Sequence, residues 1–143
     1  MRNCSGSYLC FNASFLIINS SLNEVLYRLA EPADWQHAQQ TGFFASADLA
    51  AEGFIHSSER YQILETARRY YAGRADLVLL EWDEAALAAA GVRVEREWVP
   101  GRQQYFAHIF GPVPLSAVCR HWLFGAAERG DFRLPSELLP LGE

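Results

Sequence analysis

Gly53-Phe54-Ile55-His56-Ser57-Ser58-Glu59 is the stretch from which the rest of the chain is best read. An apolar run ends in a histidine, two hydroxyl residues follow, and a helical pattern starts at Glu59. Strand side chains alternate between faces, so His56 shares a face with Phe54 and Ser58 while Ile55 and Ser57 point the other way. The stretch predicts a short strand running into a helix. Ser57 or Ser58 is placed to cap that helix, whose free N–H groups would seat an anion. A second histidine stands in a similar frame at Phe106-Ala107-His108-Ile109-Phe110-Gly111-Pro112. If both strand ends open onto one cleft, an apolar pocket with convergent polar groups results.

Working outward, Ile63, Ala67, Tyr70 and Tyr71 recur at helical spacing, predicting an amphipathic helix from Glu59 to Tyr71 closed by Gly73. Leu77-Val78-Leu79-Leu80 is apolar without alternation, as in a central strand covered on both faces. Asp83 should cap a short alanine-rich helix ending at Gly91. Val92, Val94, Arg96 and Trp98 alternate with Arg93, Glu95 and Glu97, which is the pattern of a half-exposed strand. Pro100-Gly101-Arg102 reads as a turn, Tyr105–Phe110 as the returning strand, and Ala117–Phe124 as the last one. Upstream, Val25–Leu29 reads as a strand and Glu31–Asp34 opens a short helix stopped by Gly42. Residues 43–52 read as a loop carrying Asp48 and Glu52. Interspersed elements with hairpin-like connections predict a mixed α+β domain, and no Gly-rich phosphate loop is present.

Residues 1–23 hold all four asparagines and five of the ten serines, so they read as an appended extension. Their apolar centre is too short for a secretory signal. The domain proper spans 24–125, and 126–143 reads as a peripheral tail. A net charge of −5 over 143 residues gives no general attraction to nucleic acid or anionic lipid. A basic stripe through Arg60, Arg68, Arg69 and Arg74 is at most a local exception. All twelve basic residues are arginine, which excludes a Schiff-base lysine. Three cysteines without metal-type spacing argue for a reducing compartment, and no apolar run approaches the roughly 20 residues needed to cross a bilayer. The expectation is a soluble cytoplasmic protein whose oligomeric state the sequence leaves open.

Each candidate residue has a plainer reading beside the functional one. His56 and His108 fit either a site or a satisfied half-buried strand. Cys119 and His121 lie two apart and would have to join both histidines to make a metal site; the close ligand pairs of structural zinc are lacking, and no metal is expected. A serine beside His56 lacks the Gly-x-Ser-x-Gly turn of a nucleophile. Glu97 reads first as solvated edge-strand charge.

Taken together, Leu26-Tyr27-Arg28, Gly53–Ser58, Glu65-Thr66-Ala67, Leu77–Leu80 and His108–Pro114 resemble the family called domain of unknown function 952, from about Val25 to Val118. The resemblance implies a compact, split α+β sheet related to the ADP-ribosyltransferase fold, built around an NAD-sized cleft with two to three short helices. It further implies that His56 and Ser58, with Ser57 and Arg102 beside them, hold a nucleotide such as NAD. Glu97 would offset charge developing on the ribose, and His108 would act as acid or base. A non-catalytic module binding a phosphorylated or nucleotide-like small molecule in the same cleft is the alternative, with a metal-dependent hydrolase behind it. Ala107 and Phe110 stand where the family has proline and tyrosine, which removes a phenol hydroxyl from the site. Gln103 and Gln104 replace common glycines.

Overall fold

The computed structural model describes residues 24–127 and 130–140. The expected N-terminal extension lies outside them. The apolar run at Leu77 forms strand β4 (Leu77–Asp83), the middle of a three-stranded antiparallel sheet. Its neighbours are β1 (Val25–Ala30) and β8 (Val118–Phe124). Alternation along β4 feeds two separate cores. Val78, Leu80 and Trp82 join Leu26, Phe44, Ile55 and Ile109 on one side. Leu77 and Leu79 join Tyr27, Leu29, Ile63 and Ala67 on the other. This explains why the run shows no polar alternation: both faces are covered.

A second antiparallel sheet has the order β3 (Ile55–Ser57), β6 (Gln104–Ile109), β5 (Val94–Val99). Ile55, Ala107 and Ile109 face the first core, and Val94 packs against it. A lone antiparallel bridge joins the two sheets, with Tyr27 and Ser58 exchanging backbone hydrogen bonds of 2.8 Å each. A two-residue pair, β2 (Phe43–Phe44) with β7 (Val113–Pro114), completes the strands.

Four α-helices are present among the described residues: α1 (Pro32–Thr41), α2 (Ala47–Glu52), α3 (Ile63–Tyr70) and α4 (Glu84–Ala89). Asp83 caps α4 as its sequence predicts, accepting from Ala85 N–H. Helix α2 corrects the expected loop over 43–52. Six residues are too few to show periodicity, yet Ser46 precedes them in extended geometry and Gly53 ends them at φ 92°. A side chain with Cβ is disfavoured in that left-handed conformation, so glycine sets the stop just before β3.

Two further expectations are corrected. Neither Ser57 nor Ser58 caps the next helix: Glu59 does, in a capping box with Gln62 at the start of a 3-10 turn (Arg60–Gln62) leading into α3. The Glu59 carboxylate therefore occupies the place proposed for an anion. Nor is the tail peripheral. Phe132 and Leu138 are buried in the second core, with Phe132 stacked on Phe124 at 5.5 Å. Among the described residues, no helix is long and apolar enough to cross a membrane.

Candidate functional site

The bridge between the sheets leaves a cavity of about 550 Å³ where β1 passes β3, closed by α2 on one side and by α3 and the β5–β6 turn on the other. His56, Ser57, Ser58 and Arg102 line it. His108 and Glu97 do not. Those two of the expected site residues lie beside His56, on the neighbouring strands of its sheet.

Helix α2 delivers Asp48, the residue that organises the wall. Asp48 Oδ2 accepts from the His56 backbone N–H and lies 2.9 Å from His56 Nδ1. It also accepts from Arg28 Nη1 at 2.7 Å, while Oδ1 accepts from the Ser46 hydroxyl. Burial pushes the Asp48 carboxyl up, but the His56 and Ser46 hydrogen bonds and the Arg28 charge outweigh it and hold its pKa well below the usual carboxylate range. A carboxylate only accepts, so Nδ1 donates to Asp48 and leaves Nε2 as the ring nitrogen that faces a ligand. Glu52 Oε1 lies 3.9 Å from that nitrogen. His56 is half exposed, at 46%, so Nε2 chemistry is open to a ligand.

His108 is paired directly with His56 across β3 and β6, and their rings meet edge-on at 5.2 Å. The β3–β6 register thus puts the two imidazoles on one sheet face. Phe54 stacks on His108 at 3.9 Å, and the His108 side chain is only 6% exposed. Its Nδ1 lies 2.7 Å from Glu97 Oε1. Register places Glu95, not Glu97, opposite His108 on β5, so Glu97 reaches diagonally. Behind Phe54, Phe110 carries the Arg93 guanidinium at 3.9 Å from its centroid.

Ser57 is buried, and its hydroxyl donates to the Tyr27 carbonyl at 3.2 Å. The Ser58 backbone is spent on the bridge. Arg102 stands on the β5–β6 turn, 4.6 Å above the Phe106 ring and 5.8 Å from that of Tyr70. That turn holds Gln103 at φ 55°, a conformation glycine adopts more readily. The basic stripe on α3 is already engaged: Arg68 and Arg69 pair with Glu65, Arg74 with Glu31 and Asp76, and Arg60 donates to the Leu138 carbonyl. Among the described residues, no group of three or more His, Cys, Asp or Glu side chains is arranged to hold a metal ion.

A family model described as "Protein of unknown function (DUF952)" matches residues 29–121. The chain belongs to that family. The match begins within β1 and ends within β8, so it takes in both histidines and the cavity's lining residues other than Tyr27 and Arg28. The crystal structure of protein CC0527 from Caulobacter crescentus is similar at 31% identity and a TM-score of 0.70, covering 80% of this chain and 97% of that one. The solution structure of the same protein gives a TM-score of 0.63 over 75% and 90% of the two chains. A comparison with the curated proteins found no match. Asp48, Glu52, Arg28, Thr66 and Tyr70 are among the cavity residues that the sequence alone did not assign to the site. For Asp48, eight residues before His56, the one signal was Ser46 and Gly53 bracketing a short helix.

Proposed function

We propose that the chain is an enzyme that binds NAD or a related nucleotide in the cavity and breaks its ribose–nicotinamide bond, passing the ADP-ribosyl group to an acceptor hydroxyl or to water. The observation that carries this reading is the Asp48–His56 pair, which presents an oriented base at a cavity within the usual size range for small-molecule sites. The bond's electron pair leaves with nicotinamide, neutralising its ring charge, and an oxocarbenium-like ribose forms. His56 Nε2 takes the proton of the attacking hydroxyl. Glu52, beside that nitrogen, is better placed than Glu97 to offset the developing positive charge. Glu97 and His108 stand beside His56 in the same sheet, with the His108 ring packed edge-on against it. Tyr70, Tyr71 and Phe106 offer apolar walls for a planar ring. Kinship to the ADP-ribosyltransferase fold is part of the same proposal and adds only analogy.

Calorimetry with NAD and chromatographic assay of released nicotinamide test the reading. His56→Ala is expected to lower turnover by about 10²- to 10⁴-fold. Saturating NAD that produces neither heat, nor a melting shift, nor nicotinamide removes it. The engagement of Glu97 with His108 outside the cavity favours a second reading, in which the same cleft only binds a nucleotide-like ligand. Tight binding without turnover in the wild-type chain decides for that one.

A further inference from the structure

Among the described residues, five buried side-chain polar atoms lack a hydrogen-bond partner. Three of them, Arg28 Nε, Thr66 Oγ1 and Arg102 Nη2, belong to residues that line the one cavity. Native folds rarely leave such atoms unpaired, and clustering at a single hollow points to an acceptor that arrives from outside. Arg28 is otherwise held by Asp48. Arg102 makes no hydrogen bond or ion pair to a carboxylate among the described residues; its guanidinium rests on the faces of Phe106 and Tyr70, with the Glu65 charge acting on it from a distance. No hydrogen bond or ion pair therefore resists its swing toward an anion. Thr66 lies one helical turn before Tyr70 on α3, which puts its hydroxyl on the same side as the ring under Arg102.

We propose that Thr66, Tyr70 and Arg102 form an anion subsite that takes a phosphoryl group of the ligand. The guanidinium fork supplies charge and parallel N–H donors, and the threonine hydroxyl supplies a donor from a second direction. Two donors on separate elements suit the tetrahedral spread of terminal phosphoryl oxygens better than a flat carboxylate. Tyr70, 62% exposed beside them, is available to a planar group attached to the phosphate. The subsite rests on the reading that this cavity binds a nucleotide-like molecule, but not on the glycosyl-transfer step.

The test is calorimetry on the full chain with ADP, inorganic pyrophosphate, adenosine and succinate, repeated on Arg102→Met and Thr66→Val. ADP and pyrophosphate are expected to bind, with adenosine weaker. Arg102→Met should weaken ADP by about tenfold or more, the loss of one charge-assisted contact, and Thr66→Val by less. Melting of the unliganded variants should stay level or rise, because each removes an unpaired buried donor. A merely structural arginine would instead lower the melting temperature and leave affinity unchanged, which overturns the subsite. Absence of binding by any phosphate compound overturns it too, and preference for succinate overturns the phosphoryl assignment. If NAD is never cleaved but ADP affinity depends on Arg102, the reaction falls and the subsite stands.

Discussion

The two three-stranded sheets treat their buried ionisable side chains differently, although the first also holds two unpaired donors, Arg28 Nε and Trp82 Nε1. In the β1–β4–β8 sheet the one deeply buried carboxylate, Glu81, is saturated: Tyr27 donates to it at 2.7 Å and Arg120 forks onto both oxygens at 2.8 Å. Burial, then the bond to Glu81, pushes the Tyr27 phenol pKa up, so that hydroxyl stays a neutral donor. Around the β3–β6–β5 sheet the arrangement is incomplete. Nε2 of His108 and Nη2 of Arg102 are buried without partners, and His56 lines a cavity with its ring half exposed. Of the five unpaired buried atoms, those of Arg28, Thr66 and Arg102 line the cavity and mark the place where a ligand finishes the network, while those of Trp82 and His108 lie outside it.

Changes in the saturated half should act on stability alone, and there the largest effect is expected. Leu80→Ala removes a fully buried side chain from the middle of β4 and should cost about 2–5 kcal/mol in urea denaturation. Ligand affinity of the folded fraction should not change. A loss of affinity as large as the loss of stability would show that the two halves are one energetic unit.

Asp48→Asn probes the seam between them. Asparagine keeps an acceptor but loses the charge that holds Arg28 and the His56 proton, so about 2 kcal/mol of stability should go at neutral pH. The carboxyl is lowered in the folded state, so its contribution is full above the ordinary aspartate value of about 4. It fades as pH falls below that toward the folded value. Urea curves for the two proteins should therefore converge on acidification from pH 4 downward; a constant gap would mean that the charge is not what matters. Glu97→Gln should do less, under about 1 kcal/mol, because its half-exposed side chain is screened and glutamine still offers His108 an oxygen.

Much of the scaffold was legible in the residues because it obeys periodicity. The unbroken apolar run of β4, the Asp83 cap and the turn at Pro100 follow from local rules, whereas the common face of the two imidazoles follows from the pairing of β3 with β6. The site was half legible. Asp48 was hidden because α2 is too short to show a pattern. The diagonal contact between Glu97 and His108 depends on the hairpin register, which no single strand reveals. Phe132 and Leu138 were missed for a similar reason: isolated apolar residues in a polar tail have no period to read.

The smallest effect expected is also the most discriminating, because it turns on a sign. Asp34 lines the same cavity as Asp48, from the first turn of α1, but has no ion-pair partner among the described residues. Burial, helped by Glu31 and Asp48, raises its carboxyl in the folded state against the opposing pull of Arg28. A raised carboxyl favours folding when protonated, so its contribution is full below the ordinary value of about 4 and is lost as pH rises through the folded value. Relative to Asp34→Asn, the wild-type chain should gain stability on acidification toward pH 4, where relative to Asp48→Asn it loses it below that point. Any constant offset from the helix dipole shifts both Asp34 curves without changing that slope. Two aspartates on one wall with opposite pH slopes would mean that one already has its cation and the other faces a ligand. Parallel slopes would mean that the wall is uniformly paired and the contrast between the two halves is false.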